Sequence, residues 1–559
     1  MKISKYDLGQ LNKELDAALV NAAQYHSDMD RYRDFYLHSA FYPNKSGQVK
    51  SNNDLSNNLL RVFADKNIHF TSAFPTIKVP TTGATPEQRQ AASLREKILM
   101  STWRKANGRM LQKQWSKDAT VLSIAVAETG FDIEARCAFV RRFDPRFCFW
   151  QLSNGNQRRL TAFWSVVPIT ADEAKAKYGV TPTGNGGLSA SSLQSTFLRN
   201  IDGKDWFLQA IRWDEKIRTA WVGDKMVEEP HEHMQGAIPI DVCTPFDNLD
   251  SDGRGAFYLE PMVNMQANLN LTIQRRDNIV QRMAHPVIWG RGIISKQLDD
   301  IKNGMKNGGF VGLKQGGELG LLQLNDVKVL NEHEESLRAD ILRISGFSAA
   351  AMGELAGANT SGDALGMYFT PTQRHIENQN ISWVSFYESI NTKILRVTEK
   401  FAKTGEKFSI AGYSASGTLL PMVDDPNKMQ YQRGGYAEEF DARQVIDGNY
   451  HSIVLFNPAT PKNEIEEKRL VMDMMNQKVL SRTTGYEMIG IESPEDELAL
   501  LTQEQQEPAL NPQGMQQLVA AATQAQQAEQ QPQQPQAPAG ELPKPVASEI
   551  KANVRQPVQ

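Results

Sequence analysis

Leu8, Leu11, Leu15 and Leu19 recur at helical spacing behind a capping Asp7, and Pro43 stands at the far end, so the pattern predicts a helix over 7–42. A polar, Asn/Ser-rich loop follows at 45–58. The segment 63–79 ends in the alternating run Thr76-Ile77-Lys78-Val79 between Pro75 and Pro80, a short strand. Thr85-Pro86-Glu87-Gln88 places Thr at an N-cap, Pro at the first helical position and Gln at the third. That helix should run to Asn107, with Gly108 closing it. A second helix carries Leu111, Trp115, Leu122 and Val126 on one stripe. The period then shortens: 131–140, 147–152 and 160–167 are aromatic and β-branched and predict strands, as do 206–213 and 219–222. A Gly/Ser loop lies between them at 184–192.

The centre of the chain has another character. Between Pro261 and Pro286 lie 24 residues without Gly or Pro; as a helix they span about 36 Å. Met262, Leu269, Ile273 and Val280 make a thin apolar seam, and the other faces carry Asn, Gln and Arg. Such a helix packs along a narrow seam and leaves the rest to water or polar neighbours. Strand-like pieces follow at 287–290, 309–313 and 319–324, then a second helix over about 331–346. A small-residue stretch (348–366) leads into a third long helix, 363–402, interrupted at Pro371. Strands return over 406–456, and 464–478 and 493–506 read as helices, the latter capped by Ser493-Pro494. From Gln503 to Gln559 there are 16 Gln and 8 Pro in 57 residues. That composition cannot bury a core and predicts disorder.

Composition narrows the function. The chain has 559 residues, 40% hydrophobic and 23% charged, and a net charge of -4; that length suggests three or four domains of roughly 150 residues. A charge near neutrality excludes a protein that coats nucleic acid with a basic face, but not one that lets it pass. No run reaches the roughly 18 apolar residues of a membrane span, and no apolar core follows the N-terminal lysines, so neither an integral membrane protein nor a signal peptide is expected. Cys137, Cys148 and Cys243 are scattered and form no CxxC, which fits neither a disulfide scaffold nor a zinc finger and points to a reducing compartment.

Catalytic patterns are missing or incomplete. There is no GxxxxGK[ST]. Residues 184–189 lack the last glycine of GxGxxG, and 412–417 have one residue too many for a nucleophile elbow. His231 and His233 could share a strand face as a metal pair, but no third ligand is close in sequence. Residues 248–253 imitate the front half of an EF-hand loop, yet Leu259 stands where calcium needs a bidentate Glu. No metal or cofactor is expected. Arg275, Arg276 and Arg282, with Lys302, Lys306 and Lys314 further on, could contact phosphates; equally, they could form a solvated or interface-paired face.

The order of elements from about 245 to 402 resembles the portal proteins of tailed bacteriophages. The shared pattern is a turn with small and acidic residues, then a polar helix with a Leu-Asn pair, here Leu269-Asn270. A strand-rich excursion, a second helix, a small-residue loop with Ser-Gly-x-Ala-Leu (361–365) and a long kinked helix follow. Gly366-Met367 stand where the family often has Lys or Arg. The stretch 456–504 is similar to the family as well. The resemblance implies an α+β, portal-like fold: an N-terminal wing (1–249), stem helices (250–286 and 331–347), a clip (287–330), a tunnel loop (348–362), a long kinked wing helix (363–402), wing strands (403–456), crown helices (457–506) and a disordered tail (507–559).

It also implies a non-enzymatic ring, usually of twelve subunits, at one capsid vertex of the virion, assembled in the host cytoplasm. Double-stranded DNA would pass through it non-specifically, and its partners would be the large terminase, the major capsid and scaffolding proteins and a neck or tail adaptor. The tunnel-loop residues Gly353, Glu354, Gly357, Ala358, Asn359, Thr360 and Ser361 would lie against the DNA. The alternatives are another phage structural protein, such as a neck or tail adaptor, and a hydrolase with a dispersed active site.

Overall fold

The computed structural model describes residues 7–37, 57–81, 85–153, 160–184, 206–233, 236–247, 254–284, 288–291, 318–321, 327–354, 362–402, 406–421, 429–456 and 464–489, with 498 and 501. The chain divides into two compact units, Met1–Tyr413 with Gly435–Glu467, and Ser414–Gly434 with Lys468–Gln559.

Helix α1 (Leu8–Tyr36) begins where Asp7 accepts a hydrogen bond from the Gly9 amide at 3.2 Å. Its leucine half, Leu11, Leu15 and Leu19, is buried with Phe149, Trp164 and Trp221. Its aromatic half, Tyr25, Met29, Tyr32 and Tyr36, joins a second core. The helix ends at Tyr36, with Leu37 as its C-cap, short of Pro43. Helix α2 (Leu59–Thr71) was not anticipated; Asn58 caps it through the Arg61 amide, 3.0 Å, and Leu60, Phe63, Ala64 and Ile68 are buried. Helix α3 (Pro86–Lys105) opens with the full capping box read from Thr85 and Gln88.

At the next junction the expectation fails. Asn107, not Gly108, takes the left-handed conformation (φ 55°), and Gly108 is the first residue of α4 (Gly108–Leu122). Glycine is needed there for space: a Cβ would lie 2.6 Å from the Phe74 ring. Leu111, Trp115 and Leu122 are buried on α4, while Val126 has passed into a strand.

Strands β1 (Thr76–Lys78) and β14 (Ile453–Leu455) pair antiparallel. A three-stranded sheet has the order β3-β2-β9, from β2 (Ala125–Asp132), β3 (Cys137–Phe143) and β9 (Ile240–Cys243). The run read as one strand over 131–140 is thus a hairpin, its turn held by Asp132 accepting from the Glu134 and Ala135 amides, both 2.9 Å. A five-stranded antiparallel meander comprises β4 (Cys148–Leu152), β5 (Leu160–Thr170), β6 (Trp206–Asp214), β7 (Ile217–Val222) and β8 (Lys225–Glu232). Helix α5 (Ala171–Tyr178) follows β5.

Three helices come next: α6 (Glu260–Ala284), α7 (Val327–Ser345) and α8 (Gly362–Phe401). Between α6 and α7 the strands β10 (Ile288–Arg291) and β11 (Glu318–Leu321) pair antiparallel. Helix α8 runs through Pro371 as one element. The hydrogen bond that proline cannot donate falls on an exposed side, where Met367 is 77% exposed. The C-terminal half of α8 is the centre of a third core: Trp383, Phe386, Tyr387, Ile390, Ile394 and Leu395 pack with α3, α4 and the three-stranded sheet. Strands β12 (Lys407–Pro421) and β13 (Met429–Asp441) pair, and α9 (Ala442–Ile446) turns the chain back to β14. Helices α10 (Glu464–Asn476) and α11 (Arg482–Ile489) complete the described chain; α11 carried no clear sequence signal. The architecture is α+β.

The pieces at 184–192 beyond Gly184, 248–253, 309–313, 45–56, the helix read at 493–506 apart from 498 and 501, and the tail 507–559 lie outside the described residues.

Candidate functional site

The two polar helices α6 and α7 pack on one another, and their N- and C-terminal ends respectively are sunk in the second core. On α6 the buried residues are Met262, Val263, Gln266, Leu269, Asn270, Thr272 and Ile273. Beyond them the helix leaves the core: Arg275 is exposed, and Val280, read as part of the apolar seam, is 48% exposed. Leu271 is exposed as well. Helix α7 mirrors this. Ile341 and Ser345 are buried near its end, while Val329, Glu332, His333 and Glu335 are exposed near its start. Each helix is therefore anchored at one end and presents a largely polar surface at the other.

The anchor of α6 is polar. Gln266 accepts from the Leu59 amide at 3.0 Å and donates to the Asn57 carbonyl at 2.5 Å. The Asn270 carboxamide oxygen accepts from the Asn57 amide at 3.1 Å and from Gln266 Nε2 at 3.0 Å. The Leu-Asn pair thus has a physical content. Leu269 is fully buried, and Asn270 ties the helix to the backbone that launches α2.

Where α6 and α7 leave the core, a buried carboxylate joins them. Glu334 on α7 accepts from Arg276 on α6 through one oxygen and from Arg338 Nε and Nη2 (3.1 and 2.8 Å) through the other. Glu334 is 6% exposed. Of the basic residues read as phosphate contacts, Arg276 is therefore engaged within the chain, whereas Arg275 faces solvent. Arg282 lies on α6, and Lys302, Lys306 and Lys314 lie outside the described residues.

The small-residue loop leaves α7 at Gly346, which has φ +79°. Ser348 is held to α8: its amide donates to Thr372 Oγ1 at 2.9 Å, and the Thr372 hydroxyl donates to Ser348 Oγ at 3.2 Å. A single 3-10 turn, Ala350–Met352, follows. Gly353 (φ +89°) and Glu354 are exposed. Gly357, Ala358, Asn359, Thr360 and Ser361 lie outside the described residues, and Gly362 begins α8. Gln379, two turns beyond Thr372 on α8, exchanges hydrogen bonds with Asn67 of α2 (2.9 and 3.2 Å), and Asn67 also donates to Thr120 of α4 at 2.9 Å.

Sequence reasoning missed Gln266, Glu334, Thr372 and Gln379. A weak signal existed for one pair: Gln266 and Asn270 stand i, i+4 on a helix otherwise facing a core. The others carry no local signal.

The catalytic candidates are scattered. His231 donates from Nδ1 to the Glu229 carbonyl at 3.1 Å, and His233 donates from Nε2 to the Asp214 carbonyl at 2.9 Å. Among the described residues no group of three or more His, Cys, Asp or Glu side chains is placed to hold a metal ion. Nor, among them, is any helix long and apolar enough to cross a membrane.

A family model, phage portal protein, SPP1 Gp6-like, matches residues 8–509. The chain belongs to that family. The match runs from the first residue of α1 past the end of α11, so it takes in both polar helices, the small-residue loop and α8. No curated protein sequence matches the chain. The family is a structural one.

Proposed function

We propose that the chain is one subunit of a twelve-membered ring at a single capsid vertex of a tailed phage. The ring is the conduit through which double-stranded DNA is packaged and ejected. It docks the large terminase during packaging and a neck or tail adaptor afterwards, and it assembles with the major capsid and scaffolding proteins in the host cytoplasm. In this reading 1–249 and 363–456 form the wing, 250–286 and 331–347 the stem, 287–330 the clip, 348–362 the tunnel loop and 457–506 the crown. The mechanism is non-covalent: the ring guides DNA and catalyses nothing.

The observation that carries the reading is the pair α6 and α7, anchored at one end and polar at the other, within a chain of the portal family. A helix pair whose outer half is polar and wears exposed Leu271, Val280 and Val329 suits the wall of a cylinder, where neighbouring copies cover it. Mild net negative charge suits a passage in which DNA slides. Among the described side chains on this part of α6, Arg275 is exposed and open to a phosphate or to a neighbouring subunit. The loop that starts at Ser348 is rich in Gly and Ala, which lets backbone approach a passing duplex.

Replacing Gly353, Gly357 and Ala358 with tryptophan tests this. Rings should still form by electron microscopy, while packaged genome length or DNA retention in reconstituted heads should fall. Intact rings that package and keep a full-length genome would remove the loop from the DNA path.

A further inference from the structure

The turn from which the loop departs is closed by a histidine that has no role in the reading above. His375 lies on α8, one turn beyond Thr372. Its ring rests directly on Gly346: a Cβ at that glycine would meet His375 Nδ1 at 2.6 Å and Cγ at 2.8 Å. Three aromatic rings surround it, Phe347 at 5.6 Å edge-on, Tyr258 at 5.9 Å and Phe246 at 6.3 Å between centroids. Its Nε2 is buried and has no hydrogen-bond partner.

The surroundings offer no counter-ion. From the segment before α6, Tyr258 faces the ring, and its hydroxyl is committed to the Ser345 carbonyl at 2.9 Å. Beside Phe246 stands Asp247, which is exposed; on α8 itself Arg374 and Glu377 are exposed; on α7 Arg343 is exposed and pairs with Asp340 at 3.1 Å. Burial alone pulls the His375 imidazole below its ordinary value, so it is neutral at pH 7.

We propose that His375 is the positioning residue of the loop and a proton-operated latch on it: the neutral ring holds the Gly346–Ser348 turn closed, and a protonated ring releases it. His375 is partly exposed, but its Nε2 is buried and unpartnered, so a proton held there, without a carboxylate, has to be brought to water. Turning Nε2 outward shifts the ring from its seat on Gly346. The motion withdraws support from Phe347, and from Ser348, which Thr372 of the same helix holds. The amides of 348 and 351–354 then open. The same stretch of α8 is tied through Gln379 to Asn67 and Thr120, so the latch also joins the loop to α2 and α4. That the loop touches DNA rests on the proposed function; the latch itself does not.

Hydrogen exchange on the full-length assembled protein, corrected for the intrinsic pH dependence of exchange, reads the latch directly. For wild type, exchange at 348–354 should rise about tenfold between about pH 7.5 and about pH 5.5, since a proton that binds only the open form shifts opening by up to tenfold per pH unit. His375→Phe keeps the shape without the charge, and should stay protected at both values. Thr372→Val removes the hook to Ser348 and should exchange fast at both, which keeps the test decisive if His375→Phe does not fold. A wild-type protein whose protection there does not change with pH overturns the latch, as does a His375→Phe protein that opens with acid like wild type. Opening with acid while DNA retention in assembled heads is unchanged supports the latch and counts against the loop's contact with DNA.

Discussion

His26 shows what burial does to a single titratable side chain. Its ring stacks on Phe149 at 4.3 Å between centroids, and its Nδ1 meets the Arg146 carbonyl at 3.1 Å. Burial, with a smaller push from Arg254, lowers its pKa from 6.5 to about 4. The folded protein therefore keeps the ring neutral where the unfolded chain would protonate it. Stability is full above pH 6.5 and is lost as pH falls from 6.5 toward 4. Asp118, held by Arg142 but pushed up to about 6 by burial, works in the opposite sense: it retains a proton in the fold between 3.8 and 6. The two partly cancel near pH 5. The His26→Phe variant should thus lose less stability than wild type on going from pH 7 to pH 5, as read by thermal unfolding; equal losses would show that His26 is not the group concerned. Glu334 is a second residue-scale case. Glu334→Ala strips the acceptor from Arg276 and Arg338 together, with an expected cost of about 1–2 kcal/mol, moderated because both arginines are partly exposed. Glu334→Gln, which keeps one acceptor, should cost less. Denaturant unfolding of the two variants side by side checks the order.

At the scale of elements, the junction of α3 and α4 carries a close approach between backbone and ring. Phe74 lies over Gly108 and contacts Trp103 at 5.6 Å and Tyr387 at 5.7 Å, each edge-on. Those two rings limit how far the half-buried Phe74 can give way. Gly108→Ala should therefore destabilise by about 1–3 kcal/mol, even though alanine is the better helix former. A thermal unfolding midpoint equal to wild type would mean that Phe74 moves freely. Asn107, at φ 55°, already supplies the turn, so glycine is needed here for room and not for conformation. Helices α6 and α7 make a different point. Their inner ends are held by hydrophobic burial and the Gln266–Asn270 hydrogen bonds, and further out by Glu334. Toward their other ends the described side chains become exposed, Arg275 and Val280 on α6 and Val329, Glu332 and His333 on α7.

For the whole molecule, that imbalance is what a ring would relieve. Twelve copies of 62.6 kDa give about 750 kDa. Native mass spectrometry of the full chain, and of a chain truncated after Glu507, should both find that species. The Gln- and Pro-rich tail offers little apolar surface to offset its ordering entropy, so removing it should leave assembly intact. A truncated chain that remains monomeric would make the tail part of the assembly.

The sequence by itself determined what is decided within a few residues. The cap at Asp7, the capping box at Thr85–Gln88, the long helix between Pro261 and Pro286 and the strand at 76–78 all follow from neighbours one to four positions away. The order of elements was enough to suggest the portal family before any contact was known. What the sequence left open lies between distant positions. Glu334 finds Arg276 across 58 residues, Asn270 finds Asn57 across 213, and Gln379 finds Asn67 across 312. No local pattern marks such partners, because nothing near Glu334 or His375 in the chain differs from an ordinary helix surface. Their roles exist only once packing removes water from them: desolvation makes a carboxylate seek two arginines and keeps an imidazole neutral, and only the tertiary structure decides where water is excluded.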